Sequence, residues 1–388
     1  MQINAEVQSL LQNCLSCRRE LHQMPEIAFE EINTQAYILR RLQKLKPDEL
    51  IRIPPTGVKA VFYAKDRENA RSIAFRADMD ALAINERNEI EYISKRDGFM
   101  HGCGHDGHMT VLLLLAHLLH AHHSELKQNI VLIFQPGEEG KAGANTMIEN
   151  GVLENPKVER VYGLHVWPTV PKGKIGIRWG AMMAQTCEFD IIVHGKSAHG
   201  ASPQMGVDAV VAASELITLL QTIITRNMDP HQDALLTIGR INGGVARNVI
   251  AEHVELNGTL RVFSQTNYDM IINKVRAMLE GLKTATGASF DFSSLQSYPC
   301  LNNPRPLVED FYRYIDQRDL VIVEPVLAGE DFAFYQQAVP ALFFFLGCGG
   351  GKNKYPLHNE RFDFDEYVLL HGVEIFRRLA FDEPFSAD

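Results

Sequence analysis

The stretch His101-Gly102-Cys103-Gly104-His105-Asp106-Gly107-His108 constrains this chain more than any other part of it. A thiol, three imidazoles and a carboxylate crowd together there, with glycines that let the backbone turn tightly between them. Sulfur and imidazole donors suit zinc, cobalt, nickel, iron or manganese rather than calcium. A structural zinc knot closes through short, local ligand spacings. Here further candidates follow in Gln135-Pro136-Gly137-Glu138-Glu139, in Gly163-Leu164-His165 and in Pro356-Leu357-His358-Asn359. Donors so far apart in sequence need a large folded scaffold to gather them, which points to catalysis rather than to a metal staple.

At 388 residues the chain exceeds one comfortable core, so two domains are expected. Hydrophobic content of 46% and charged content of 22% place it among ordinary soluble globular proteins. A net charge of −10 argues against nucleic acid or an anionic membrane as partner. An anionic substrate then needs local positive charge, from a metal or an arginine. Six cysteines in so long a chain make no disulfide scaffold. No basic flank followed by an apolar run opens the chain, and the apolar stretch Val111–Ala116 is far too short to span a bilayer. A cytoplasmic location is therefore expected.

Residues 4–22 and 30–45 carry apolar side chains at helical spacing, and a further helix is expected over His108–His122. Strand-like runs stand at Val58–Ala64, Ser72–Arg76, Asn129–Phe134 and Arg160–Leu164. This alternation predicts an α/β domain with a mixed, largely parallel sheet flanked by helices. Sites in such sheets form at the carboxyl ends of strands. Asp78, Asp80, Glu138, Glu139 and His165 all read as lying just past a strand's end.

From about Ala181 the texture changes. Glu188–His194, Ala234–Ile241, Val254–Phe263 and Phe290–Phe292 read as strands, Val207–Thr225 and Tyr268–Thr286 as long helices. The order β-α-β-β-α-β matches a ferredoxin-like α+β arrangement. Patterns resume at Pro306–Asp316 and Ala341–Leu346, and an amphipathic helix is expected over Tyr367–Phe381. Because His358 lies beyond the insert, the expected layout is a discontinuous catalytic domain, 1–181 with 296–388, interrupted by a lid or dimerisation domain over 182–295.

Several other features read as ordinary structure. His117, His120, His122 and His123 suit a solvated helix end, and Cys14-x-x-Cys17 has no second pair to complete a zinc or redox site. Gly347–Lys352 is one residue short of a phosphate loop and reads as a turn. Gly195-Lys196-Ser197-Ala198-His199 lacks the last glycine of a nucleophile elbow. Glu138-Glu139 alone would be a solvated turn. Beside a metal cluster, one of the two carboxylates can bind metal while the other takes a proton from water.

Motifs along nearly the whole chain resemble those of one family. They include Arg18-Arg19-Glu20-Leu21-His22-Gln23-Met24-Pro25-Glu26, Phe75-Arg76-Ala77-Asp78-Met79-Asp80-Ala81-Leu82, the Cys-Gly-His-Asp stretch and Gln135 through Glu139. Lys196-Ser197-Ala198-His199, Arg247-Asn248-Val249-Ile250, Gly329-Glu330-Asp331-Phe332-Ala333 and Leu357-His358-Asn359 follow in the same order. The sequence resembles the aminoacylase and hippurate hydrolase metalloamidohydrolases, in the branch with the indole-acetyl-amino-acid hydrolases.

That resemblance implies a ligand set of Cys103, His105, Glu139, His165 and His358 for two divalent metal ions, manganese, zinc, cobalt or nickel. It implies Glu138 as general base, and His199 as the group that stabilises the oxyanion, often across a dimer interface. Asn248 and Arg261 fall where similar enzymes hold the substrate carboxylate, and Asp78 and Asp80 take supporting roles behind the ligands. Gly137 stands where similar proteins often carry alanine, a difference expected to leave the ligands untouched. The implied reaction is hydrolysis of an N-acyl amino acid by metal-activated water, in a homodimer joined through the inserted domain. Its rivals are a dipeptidase or aminopeptidase on the same scaffold, a non-catalytic metal-binding dimer, and a thiol hydrolase using Cys103 with His105 or His108.

Overall fold

In the computed structural model, which describes residues 1–350 and 355–381 (backbone only at 296 and 297), the chain divides into two compact units. The first comprises Met1–Met182, Asn302–Glu324 and the described residues from Asp331 onward. The second comprises Met183–Leu301 and the return segment Pro325–Glu330. The position 295 falls inside the strand Ser289–Tyr298. The return segment is tied to the second unit by the Ala184 amide, which donates to the carbonyls of Val326 and Ala328.

The first unit is built on an eight-stranded mixed sheet. Its order is Glu49–Ile53, Gly57–Phe62, Asn129–Gln135, Ser72–Asp78, Arg160–Pro171, Ala341–Gly349, Ile175–Ile177 and Leu320–Ile322. The central strands are near-continuous apolar runs, and Asn129–Gln135, Ser72–Asp78 and Ala341–Gly349 are buried throughout, as strands covered on both faces must be. Ser72–Asp78 pairs in parallel with both Asn129–Gln135 and Arg160–Pro171. The helix His105–Ala121 buries Val111, Leu112, Leu115, Leu118 and Leu119 in the core, leaving His117 and His120 exposed. Leu11–His22, Ile32–Leu45 and Leu369–Phe381 complete its helical cover.

Register decides where the site lies. Asp78 pairs with Gln135, so the segments following these two parallel strands emerge side by side. His165 differs from the expectation that it lies past a strand's end. Its strand runs on to Pro171 because the neighbouring Ala341–Gly349 keeps pairing with it, His165 opposite Phe345. Pairing with Ser72–Asp78 stops at Gly163, and His165 follows two residues later. Asp78 likewise is the last residue of its strand rather than the first beyond it.

The second unit has a four-stranded antiparallel sheet, ordered Ala234–Gly243, His253–Val262, Gln185–His194 and Ser289–Tyr298. Helices Ala209–Asn227 and Gln265–Thr286 cover it, completing the ferredoxin-like succession. Asp208 and Ser264 cap their N-termini, accepting from the amides of Val210 and Asn267. By length and composition Ala209–Asn227 could cross a membrane, but its Ala212, Leu216, Leu220 and Ile223 belong to this unit's core with Phe189, Ile191 and Val193.

Candidate metal centre

Five side chains gather in the first unit from four separate stretches. Cys103 and His105 flank Gly104, whose φ of 87° lets the chain swing into the helix beginning at His105. Glu139 sits in the turn after Asn129–Gln135, and His165 in Arg160–Pro171. His358 arrives on a turn with φ 64°, a left-handed conformation that a non-glycine residue adopts at a cost. Its amide donates to the carbonyl of Gly102 at 2.9 Å, which holds the strained turn against the Cys103 segment.

Cys103 Sγ lies 3.3 Å from His165 Nε2 and 3.3 Å from His358 Nε2, and His358 Nε2 lies 3.1 Å from Glu139 Oε1. Donor atoms of Cys103, His105 and His165 cluster within 4.8 Å of one another, as do those of Cys103, Glu139 and His358. The two sets share Cys103. Tetrahedral bonds of about 2.3 Å to sulfur and about 2.0–2.1 Å to nitrogen hold such donors roughly 3.5 Å apart. The observed spacing therefore fits donors around common ions.

Hydrogen bonds aim these donors inward. His105 Nδ1 donates to the Asp80 carbonyl at 2.9 Å, leaving a buried Nε2 with no hydrogen-bond partner. His165 Nδ1 donates to the carbonyl of Val166 at 2.7 Å. Each ring thus presents Nε2 as a lone pair, the state a metal requires. The Asp80 carboxylate accepts from the amides of Glu138 at 3.1 Å and Glu139 at 2.9 Å. One aspartate thereby sets the orientation of His105 and of the whole Glu138–Glu139 turn.

The electrostatics call for a cation. Burial, then the charges of Glu139, Glu138 and Asp78, push the Cys103 thiol far above its ordinary value. That is the opposite of an activated thiolate nucleophile and weighs against a thiol hydrolase. Burial opposes protonation of His105, yet Asp78, Asp80 and Glu139 raise it to about 10. A divalent ion among these carboxylates relieves both, since it stabilises the thiolate and takes the place of the imidazolium charge.

His108, Arg76 and Glu31 complete the surroundings, and none of their roles is evident from sequence spacing. His108 stands beside Asp78 and His105, close enough to resemble a ligand. Its Nε2, however, accepts from the Val166 amide at 2.9 Å, so the proton must sit on Nδ1, which donates to Asp78 at 2.6 Å. Both nitrogens are engaged. Arg76, fully buried, donates to Gln135 and forms ion pairs with Asp78 and Asp331. Burial opposes the charge on Asp78, but His105, His108 and Arg76 overcome it and hold Asp78 well below the usual carboxylate range. The signal in the sequence is an arginine within the apolar run of a buried strand, two residues before Asp78. Burial and the Asp80 charge raise Glu31 to about 7.

His199, Asn248 and Arg261 belong to the second unit. His199 is exposed on a short strand paired with Val249, and the Gly200 amide donates to the Asn248 carbonyl at 2.8 Å, so these two stand together. Arg261 lies on His253–Val262, opposite Leu235 and Thr186, and burial lowers its pKa. Among the described residues His117, His120, His122 and His123 join no donor cluster; His122 pairs with Glu6 and Glu125, and His123 with Asp48. Cys14 and Cys17 are buried thiols in Leu11–His22. Gly347–Gly349 ends a strand, while Lys352 and Asn353 of the glycine-rich turn lie outside the described residues.

The fold and this centre are those of a metal-dependent hydrolase of amide bonds, with donor clusters that could hold two divalent ions. Residues 74–382 match Peptidase family M20/M25/M40, and the chain belongs to that family. It is 36% identical over 369 residues to an N-acetyldiaminopimelate deacetylase of Bacillus licheniformis, covering 94% of this chain and 97% of that one. To the N-acetyldiaminopimelate deacetylase of Lactobacillus acidophilus it is 35% identical over 376 residues, covering 95% and 97%. A solved dinuclear metal binding peptidase of the M20 family from Bacillus subtilis superposes with a TM-score of 0.84 at 32% identity, covering 96% of this chain and 98% of that one.

Proposed function

We propose that this enzyme hydrolyses N-acyl-L-amino acids, releasing a carboxylic acid and a free amino acid. One observation carries the reading: Glu138 stands beside Glu139, so the residue next to a metal donor is a second carboxylate on the same turn. The relatives named N-acetyldiaminopimelate deacetylases support an N-acetyl group as the acyl half.

We assign Cys103, His105 and His165 to one ion and Cys103, Glu139 and His358 to the other, for manganese, zinc, cobalt or nickel, and keep Glu138, whose carboxylate also clusters with His105 and Glu139, for proton transfer. When bound, the ions polarise the amide carbonyl and lower the pKa of a water. Glu138 takes the proton of the attacking water and returns it to the leaving amine nitrogen. Asp80 keeps the base in place through the Glu138 amide. We assign His199 to the developing oxyanion, and Asn248 and Arg261 to the substrate α-carboxylate, on the motifs that carry them. The same motifs support a homodimer formed through the second unit.

The test is amine release from N-acetyl and N-benzoyl amino acids, N-acetyldiaminopimelate among them, with added Mn²⁺ or Zn²⁺ and again after EDTA. Metal-dependent release is expected. Release from free dipeptides but from no blocked substrate would favour a peptidase, the activity named for the Bacillus subtilis structure.

A further inference from the structure

The Gly137–Glu139 turn is gripped from outside its own strand. Three consecutive amides are bonded to two carboxylates remote in sequence. The Glu138 and Glu139 amides donate to Asp80, and the Gly137 amide donates to Glu31 Oε1 at 2.9 Å. Glu31 is completely buried, and its other oxygen accepts from Thr56 Oγ1 at 2.5 Å, so both ends of its carboxyl are anchored.

A second contact from the same segment presses on the same glycine. Gly137 has φ +67°, and a Cβ built there would stand 2.5 Å from Cε1 of Phe29. Phe29 itself has φ 69°, a costly conformation for an aromatic residue, and the surrounding structure must hold it. The Glu30 amide closes the turn across Phe29 by donating to the Ile27 carbonyl at 2.9 Å, and the Ala81 amide, donating to the Glu26 carbonyl at 2.8 Å, ties this segment to the one carrying Asp80. An alanine Cβ at 137 would thus meet the Phe29 ring in a backbone conformation that favours glycine.

We infer that Glu31 is a positioning residue, whose carboxyl, with Phe29 packed on Gly137, clamps the turn so that Glu138 and Glu139 point to separate tasks. This rests on Glu138 being the general base and Glu139 a metal donor. Without the clamp the buried Gly137 amide loses its acceptor, and the amide side of the turn loses one of the two carboxylates that fix its orientation. Displacements of about 1 Å at a reacting group cost on the order of 10²-fold in rate. Loss of a partner behind a metal ligand costs roughly 10–100-fold in affinity.

The experiment compares Glu31→Ala, Glu31→Gln and Glu138→Gln in the full chain, measuring kcat, KM and Zn²⁺ affinity by chelator competition. Glutamine still accepts from the Gly137 amide and donates to Thr56, so it tests the clamp apart from charge. Glu31→Ala is expected to lose roughly 10–100-fold in Zn²⁺ affinity and at least about tenfold in kcat with little change in KM, and Glu31→Gln to recover most of both. Wild-type affinity and kcat in Glu31→Ala overturn the inference, and so does Glu31→Gln as impaired as alanine. If the alanine variant does not fold, Thr56→Val decides: reduced Zn²⁺ affinity supports the clamp and unchanged affinity overturns it. The zinc measurement involves no proton transfer. Wild-type turnover in Glu138→Gln would remove the general-base assignment alone and leave that arm standing.

Discussion

His108 donates from Nδ1 to Asp78 Oδ1 at 2.6 Å, in a pair buried to about 1% exposure or less on both sides. With Nε2 already accepting from the Val166 amide, the ring has no lone pair left for an ion. Its contribution passes through its neighbours, because Val166 adjoins His165 in the strand and the rings of His108 and His165 meet edge to face at 4.6 Å.

His108→Ala should therefore weaken metal binding without removing a ligand. Roughly a 10–100-fold loss of affinity is expected, with two ions still bound at saturation. Chelator competition followed by metal analysis checks both numbers. A stoichiometry reduced to one ion would make His108 a ligand after all.

Glu138→Gln should cost about 10²–10⁴-fold in turnover while metal content stays at the wild-type level. The amide keeps size and shape but cannot take a proton from water. Rates near wild type in a fully loaded variant would disprove the assignment.

His199→Ala should also slow turnover, because the oxyanion loses a donor worth about 10²–10³-fold in comparable sites. Mixing it with Glu138→Gln separates action within one chain from action across a dimer. If His199 serves the partner's site, mixed dimers contain one intact centre and regain activity. No recovery, with subunit exchange shown by mass, would place the action within one chain.

His22 should make stability depend on pH in the alkaline range. Its Nδ1 bonds Asp106 at 2.7 Å and its Nε2 bonds Glu86 at 3.1 Å, an arrangement that calls for protons on both nitrogens. Burial opposes that charge, but the two carboxylates prevail and raise the group to about 9. Since the folded value lies above the unfolded one, the stabilisation is complete below about pH 6.5 and fades as pH rises towards 9. Its full size is roughly 3 kcal/mol. Melting curves of wild type and His22→Asn at pH 6 and pH 9.5 check this: the wild-type advantage should shrink at the higher pH, and a constant difference would refute it.

Much of the fold was legible from sequence because buried strands and amphipathic helices leave periodic apolar patterns. The runs at 72–76, 129–134 and 341–346 all became central strands. Short edge strands such as Glu49–Ile53 and Leu320–Ile322 left no such trace, since much of their surface faces solvent. His165 was misplaced relative to its strand because strand length depends on a partner 180 residues later in the chain, Phe345.

The donors were legible for a different reason. Thiol, imidazole and carboxylate chemistry belongs to the side chain, so the stretches that carry Cys103, His105, Glu138, Glu139, His165 and His358 stand out in the sequence as candidate donors, and the family resemblance implies which five of them bind metal. Sequence alone thus determined the chemical class of the centre and the alternating architecture that carries it. Tertiary structure decided which of the clustered groups remain available. His105 keeps a free Nε2 because a backbone carbonyl takes its other nitrogen, while His108, three residues on, is used up by Asp78 and Val166. Glu31 enters only because the fold carries it to the amide of Gly137. Hydrogen-bond partners are set by proximity in space, and a linear pattern records the donors and acceptors but not which of them meet.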